Sequence, residues 1–138
     1  MSVQVEVDTR RALTMLRQTP QKLDRALHAG MEDATLYLQR EMSVYPPQRP
    51  GSTYVRRNML KASWNQADSR RIQRRGTVLE GRIASNSNIA PYNRYVQDAE
   101  HQASIHRRLW TNTVQAVARR SRQQINRFFQ DRINAALR

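Results

Sequence analysis

Cysteine is absent from this chain of 138 residues, which removes disulfide frameworks, thiolate nucleophiles and thiolate metal sites at once. Lysine is scarce too. Of the 24 basic side chains only Lys22 and Lys61 are lysines, and the rest are arginines, which fork onto carboxylate and phosphate and stack on aromatics. The four glycines, Gly30, Gly51, Gly76 and Gly81, fit neither the dinucleotide fingerprint nor the phosphate loop. Both of those motifs need glycines at fixed offsets so that backbone amides can reach phosphates. Acidic residues number 11, leaving a formal charge of +13. Such a particle attracts polyanions and repels its own copies unless opposite charges are interleaved. No apolar run approaches the roughly 20 residues needed to cross a bilayer. Met1 to Thr9 holds no basic stretch followed by an apolar core, so a soluble intracellular product is expected.

What remains is one domain's worth of chain, with 38% hydrophobic residues to build a core. The charge is unevenly placed. Residues 1–44 carry six basic and six acidic side chains, residues 45–100 ten and four, and residues 101–138 eight and one. The positive surface therefore belongs to the middle and the C-terminal third.

Val3, Val5 and Val7 alternate with polar residues, a period of two that predicts a half-buried strand, and Asp8 or Thr9 can cap a brief turn through Leu16. Thr19-Pro20 is a helix-start signal. After it Leu23, Leu27, Met31, Ala34, Leu38 and Met42 recur at steps of three and four, predicting a long amphipathic helix that stops at Tyr45-Pro46-Pro47. Asn58 is placed to cap a single turn carrying Met59, Leu60 and Trp64. Trp64 is expected to close the core beside Leu27, Met31 and Leu38, because a turn after a stiff Pro loop returns to the helix before it. Arg70 to Arg75 and Thr77 to Ser85 read as a hairpin with its connection near Gly76. Beyond Trp110 a second periodic run follows. Val114, Val117, Ala118, Ile125, Phe128, Phe129, Ile133, Ala136 and Leu137 share a face, and Arg119, Arg120, Arg122, Arg127 and Arg132 lie mostly away from it. The expected fold is α+β, with two long amphipathic helices on a small, mostly antiparallel sheet, all in one domain spanning 1–138. Loop 45–57 and hairpin 70–85 are expected to project from it as contact elements, having too little apolar content to pack internally.

No catalytic constellation emerges, and the chain is expected to be no enzyme, with no metal and no cofactor. His28 and Glu32 stand one turn apart without a third ligand and read as solvated helix residues. His101 and His106 lack a carboxylate partner in a hydrolase or zinc arrangement and read as loop packing. A nuclease needs a carboxylate cluster, and only Asp98 and Glu100 lie close outside the helices, with Glu80 required to join them from a strand. For Arg70, Arg71, Arg74 and Arg75 three readings stay open: phosphate contact, a solvated hairpin, or pairing with carboxylates of a neighbouring subunit. Trp64, Trp110, Tyr92 and Tyr95 read as core or interface anchors rather than a ladder for stacking bases.

Three stretches in order resemble the minor structural proteins that complete the head-to-tail joint of tailed bacteriophages. Tyr45-Pro46-Pro47-Gln48-Arg49-Pro50-Gly51 leads to Leu60 and the Ser63-Trp64 pair, with Arg57 and Asn58 where that family has Thr and Gly. Asn tolerates the left-handed backbone that such a glycine supplies. Ala90-Pro91-Tyr92-Asn93-Arg94-Tyr95-Val96-Gln97 is similar to the segment that returns over the sheet. Gln102 to Trp110 is similar to the approach to the last helix, with Arg108-Leu109 replacing a Gly-Arg pair. The resemblance implies a virion protein of the neck, in the host cytoplasm before assembly, forming a ring of identical subunits, a hexamer in that family. Its implied partners are the portal or adaptor, the tail-tube or tail-terminator proteins, and phage DNA in the channel, with no membrane. Contacts to subunits or partners are expected at Arg49, Tyr54, Arg70, Arg71, Arg74 and Arg75, and contacts to DNA or the lumen at Arg119, Arg120, Arg122 and Arg127. The alternative is a free, non-specific nucleic-acid binder using the same arginines.

Overall fold

The computed structural model describes residues 1–10, 20–48, 50–53 and 56–138. Strand β1 (Ser2–Asp8) is followed by the long helix α1 (Pro20–Met42) and the short helix α2 (Met59–Trp64). A 3-10 turn, Ala67–Ser69, leads into β2 (Arg70–Arg75) and β3 (Val78–Ala84). A second 3-10 turn, Pro91–Asn93, precedes α3 (Arg94–Gln97), and the chain closes with α4 (Val114–Arg120) and α5 (Arg122–Ala136). The fold is α+β. The sheet is antiparallel in the order β1-β3-β2, so the last strand of the hairpin lies in the middle and β1 and β2 form the edges.

The hairpin turns through Gly76 and Thr77. Gly76 has φ of 59°, the left-handed conformation that a two-residue turn with glycine first requires. Registration then sorts the side chains. Val3, Val5, Val7, Leu79, Gly81, Ile83, Arg70, Ile72 and Arg74 share the inner face. Gln4, Glu6, Glu80, Arg82, Arg71, Gln73 and Arg75 share the outer one.

Every residue of the expected α1 stripe is buried, and Trp64, fully buried, joins Leu27, Met31 and Leu38 in the main core as expected. The helix reaches the sheet where Gly81 has no side chain. A Cβ there would strike the Met31 thioether and lie 2.9 Å from Thr35 Cγ2. On another side α1 meets α5, where a Cβ on Gly30 would come 2.7 Å from the Phe129 ring, and where Tyr37 packs edge-on to Phe128. Close packing of α1 against both partners is thus built on two glycines.

The second periodic run is two helices rather than one. It is interrupted at Ser121, which is fully buried at the junction, although bonds from Ser121 N to Val117 O and from Ile125 N to Ser121 O carry the backbone pattern across it. The interruption lets α4 touch β1 as well as α1 while α5 runs along α1. Two residues of the expected apolar face, Ala118 and Leu137, are exposed, Ala118 beside the interruption and Leu137 past the end of α5. Thr113 caps α4 by accepting from Ala116 N. The cap expected at Thr19 and the turn through Leu16 lie outside the described residues.

Candidate interaction surfaces

Helix α1 stops at Met42, a turn before the prolines that were expected to stop it. Pro46 carries no N–H, so it cannot serve the Met42 carbonyl four residues back. A side chain 55 residues away does so instead: Gln97 Nε2 donates to Met42 O at 2.9 Å. The same amide accepts from Trp64 Nε1 through Oε1 at 2.8 Å, and Gln97 is fully buried. Asn112 Nδ2 donates to Glu41 O and Val44 O, at 3.2 and 2.8 Å. Gln39 Nε2 donates to Trp64 O, and Gln102 Nε2 binds Val96 O and Trp110 O at 2.7 and 3.0 Å. Amide side chains thus tie the end of α1 to α2, α3 and the segment before α4.

Around them sits a second apolar cluster of Leu60, Ala90, Val96 and Trp110, with Tyr45 and Leu109 against it. Tyr45 packs edge-on to Trp110 at 5.4 Å between centroids, lies under the Arg56 guanidinium and accepts from Lys61 N. The start of the Pro loop therefore packs inward, which corrects the expectation that it lacks the apolar content to do so. Asn58 has φ of 58°, the one left-handed residue other than glycine among those described. Its side chain makes no cap bond, so it serves α2 through its backbone conformation and not as the expected side-chain cap. Above the cluster an open groove is lined by Tyr45, Arg56, Met59, Tyr92, Ile105 and Trp110, among others. Tyr92 and Tyr95 are half-exposed rather than core, with Arg94 over the Tyr95 ring.

Of the expected contact residues, Arg49 and Tyr54 lie outside the described residues. Arg71 and Arg75 stand exposed on the outer face of β2, and Arg75 approaches Glu80 at 3.9 Å. Arg70 and Arg74 stand on the inner face. Arg74 is engaged within the chain: its guanidinium binds the Asp24 carboxylate of α1 and the Thr9 hydroxyl. It therefore counts as a strut of the fold rather than a free contact, and deleting Arg74-Arg75 would damage the scaffold. On the terminal helices Arg119, Arg122 and Arg127 are exposed without a carboxylate partner among the described residues. Arg120 pairs with Glu41 at 3.0 Å and Arg132 forks onto Asp33 at 2.8 and 3.1 Å. Three of the six acidic residues of the electrically balanced first third, Asp24, Asp33 and Glu41, are thus matched to arginines of the later segments, while Asp8 pairs locally with Arg10. Asp33 raises the Arg132 pKa by hydrogen bonding and by its charge.

His101 has a local carboxylate partner in its own turn. A turn closed by His101 N on Asp98 O brings its Nδ1 3.0 Å from Asp98 Oδ2. Partial burial pushes the Asp98 carboxyl up, but hydrogen bonds from Gln115, His101 and the Glu100 backbone outweigh it and hold the group below its ordinary value. Asp98, Glu100 and His101 lie together, while Glu80 stays on the sheet, bound by Gln73. His28 approaches Asp24 rather than Glu32. The residues that sequence reasoning passed over are Gln97, Gln102 and Asn112. Only the missing donor at Pro46 signals that such an amide is needed, and nothing in the sequence says which one supplies it.

The described helices include none long and apolar enough to cross a membrane. The chain matches no family model, no curated protein and no solved structure.

Proposed function

We propose that this chain is a non-enzymatic structural subunit of a tailed-phage neck, completing the joint between head and tail as a ring of identical copies. DNA passes through the ring or stops near its lumen, and the neighbours are the portal or adaptor on one side and tail-tube or tail-terminator proteins on the other. The observation that carries this reading is convergence. The three stretches with the resemblance, spread from Tyr45 to Trp110, fold into one unit: Tyr45 on Trp110, Trp64 on Gln97, Gln102 on Val96 and Trp110. Asn58 supplies the left-handed turn where the family has glycine. A chance likeness of three short segments has no reason to assemble in space.

Arg119, Arg122 and Arg127, exposed and without a carboxylate partner among the described residues, favour the second reading of a free nucleic-acid binder. Mass measurement of the purified chain, alone and with heads or tails lacking it, separates the two. A closed ring that restores joining supports the neck subunit. The isolated subunit is expected to bind duplex DNA only in the roughly 10⁻⁴ to 10⁻⁶ M range of non-specific contact. Nanomolar binding at physiological salt, or preference for one sequence, by a monomer that never joins particles overturns the neck reading.

A further inference from the structure

Among the described residues neither edge of the sheet carries a further strand. The backbones of β1 and β2 pair there only with β3; of their side chains, Arg74 is held by Asp24 and Thr9, Asp8 pairs with the exposed Arg10 at 3.0 Å, and Gln4 donates to Glu6. Open edges are templates for another strand, and charge is one of the ways proteins control which strand arrives. The two edges differ in sign. Strand β1 carries Glu6 and Asp8 and no cation, and β2 carries Arg70, Arg71, Arg74 and Arg75 and no anion. Pairing β2 with β2, or β1 with β1, sets like charges opposite one another. Pairing β2 with β1 sets opposite charges together.

The inner face makes the same point with apolar side chains. Val5 and Val7 at one edge and Ile72 at the other are only partly buried against the core. Register decides whether they can meet. Asp8 and Arg75 both lie opposite Val78, Glu6 and Gln73 opposite Glu80, Val5 and Ile72 opposite Gly81, and Gln4 and Arg71 opposite Arg82. Both edge strands run antiparallel to β3 and so point the same way. A second copy brought alongside by rotation about an axis along the strands therefore pairs its β1 in parallel with β2 of the first. At level register its Val5 sits beside Ile72 on the inner face and its Asp8 beside Arg75 on the outer. Its Glu6 falls beside Gln73, with Arg71 and Arg75 as diagonal neighbours.

We propose that β1 and β2 are the two halves of one interface, through which successive copies of this chain continue a single sheet. The contact is heterologous, so it repeats from copy to copy and closes if the rotation allows. The inference deepens the ring reading and rests on it for closure, but not for the pairing itself.

The absence of cysteine provides the test. Gln4→Cys and Arg71→Cys place thiols on the outer face at exposed positions, so each variant is expected to keep the wild-type circular dichroism and melting temperature. Within one chain these positions are separated by β3, about 9–10 Å, beyond the roughly 7 Å that a disulfide spans. On mild oxidation of concentrated protein, a mixture of the two single variants is expected to give a disulfide dimer, and the double variant a ladder of covalent oligomers. Dimers from either single variant alone, as readily as from the mixture, would mean edge pairing of like with like and overturn the proposal. No cross-linking in the mixture or in the double variant overturns it too. Native mass spectrometry of the same samples separates this inference from the neck reading. Rings without cross-links leave the neck subunit standing and remove the edge interface. Cross-linked open chains without closed species keep the interface and count against the ring.

Discussion

The two ends of α1 are held by different physics. From Leu23 to Leu38 the helix is packed, with apolar side chains and two glycines bringing it against the sheet and α5. At Met42 it is wired, with Gln97 donating to the Met42 carbonyl that Pro46 leaves without a donor, and Asn112 donating to the neighbouring Glu41 and Val44 carbonyls. Packing depends on volume and is met by many side-chain combinations, whereas a buried carbonyl needs one donor at one place. The packed end should therefore respond to size and the wired end to chemistry.

Trp64 belongs to both regions and should show the largest effect. Replacing it with Ala empties a fully buried site and orphans Gln97 Oε1, and a loss at the upper end of about 3–5 kcal/mol is expected in denaturant melts. A loss under about 1 kcal/mol would break the placement of Trp64 in the core. Gln97→Leu keeps the volume and removes the chemistry. It strands Trp64 Nε1 and Met42 O, each at a cost of about 1–3 kcal/mol, and should exceed any conservative swap such as Leu38→Met, for which a loss below about 1.5 kcal/mol is expected. Equal losses from the two substitutions would erase the distinction between the ends.

Gly81→Ala tests the packed end by adding one methyl group against Met31 and Thr35, and overpacking of this kind costs about 1–3 kcal/mol. Thermal melts of Gly81→Ala alone and with Met31→Ala, which makes room, should show partial recovery relative to the sum of the single losses. Asn58→Ala places an ordinary side chain in the left-handed region, and Asn58→Gly does not. The first should lose about 1 kcal/mol and the second should not, a smaller contrast read in the same melts.

The mildest test is protonation. Asp98 is held below its ordinary value of 3.8, so the bonds that it accepts from Gln115, His101 and the Glu100 amide contribute stability above that pH. That contribution is lost as pH falls through the lowered folded value. Carboxyl NMR should give a midpoint below 3.8 for Asp98, with the Glu100 amide losing exchange protection over the same range. A midpoint at or above 3.8 would mean that this turn is not held by its carboxylate.

How much of this was readable in advance varies with the range of the interaction. The α1 stripe and the hairpin about Gly76 depend on neighbours within a turn or two of chain, and periodicity displays them. The Arg74–Asp24 strut, 50 residues apart, and the Arg132–Asp33 fork, 99 apart, do not show in a segment-by-segment charge count. That count showed a neutral first third and a basic remainder, but not that Asp24, Asp33 and Glu41 of the first are paired with arginines of the other. The interruption at Ser121 was equally hidden, since the burial of that residue between elements depends on groups distant in sequence.

The sequence by itself determined the class of fold, the buried stripe of α1 and the absence of thiol chemistry, because these follow from local periodicity and from which side chains exist. Tertiary structure alone decided that Gln97 and Asn112 finish α1, that Arg74 and Arg120 are engaged while Arg71 and Arg127 are exposed, and that the acidic and basic edges stand level across one sheet. Each of these depends on groups distant in sequence meeting within a few ångströms, and hydrogen bonds and ion pairs are too short-ranged to be read until the backbone has brought them there.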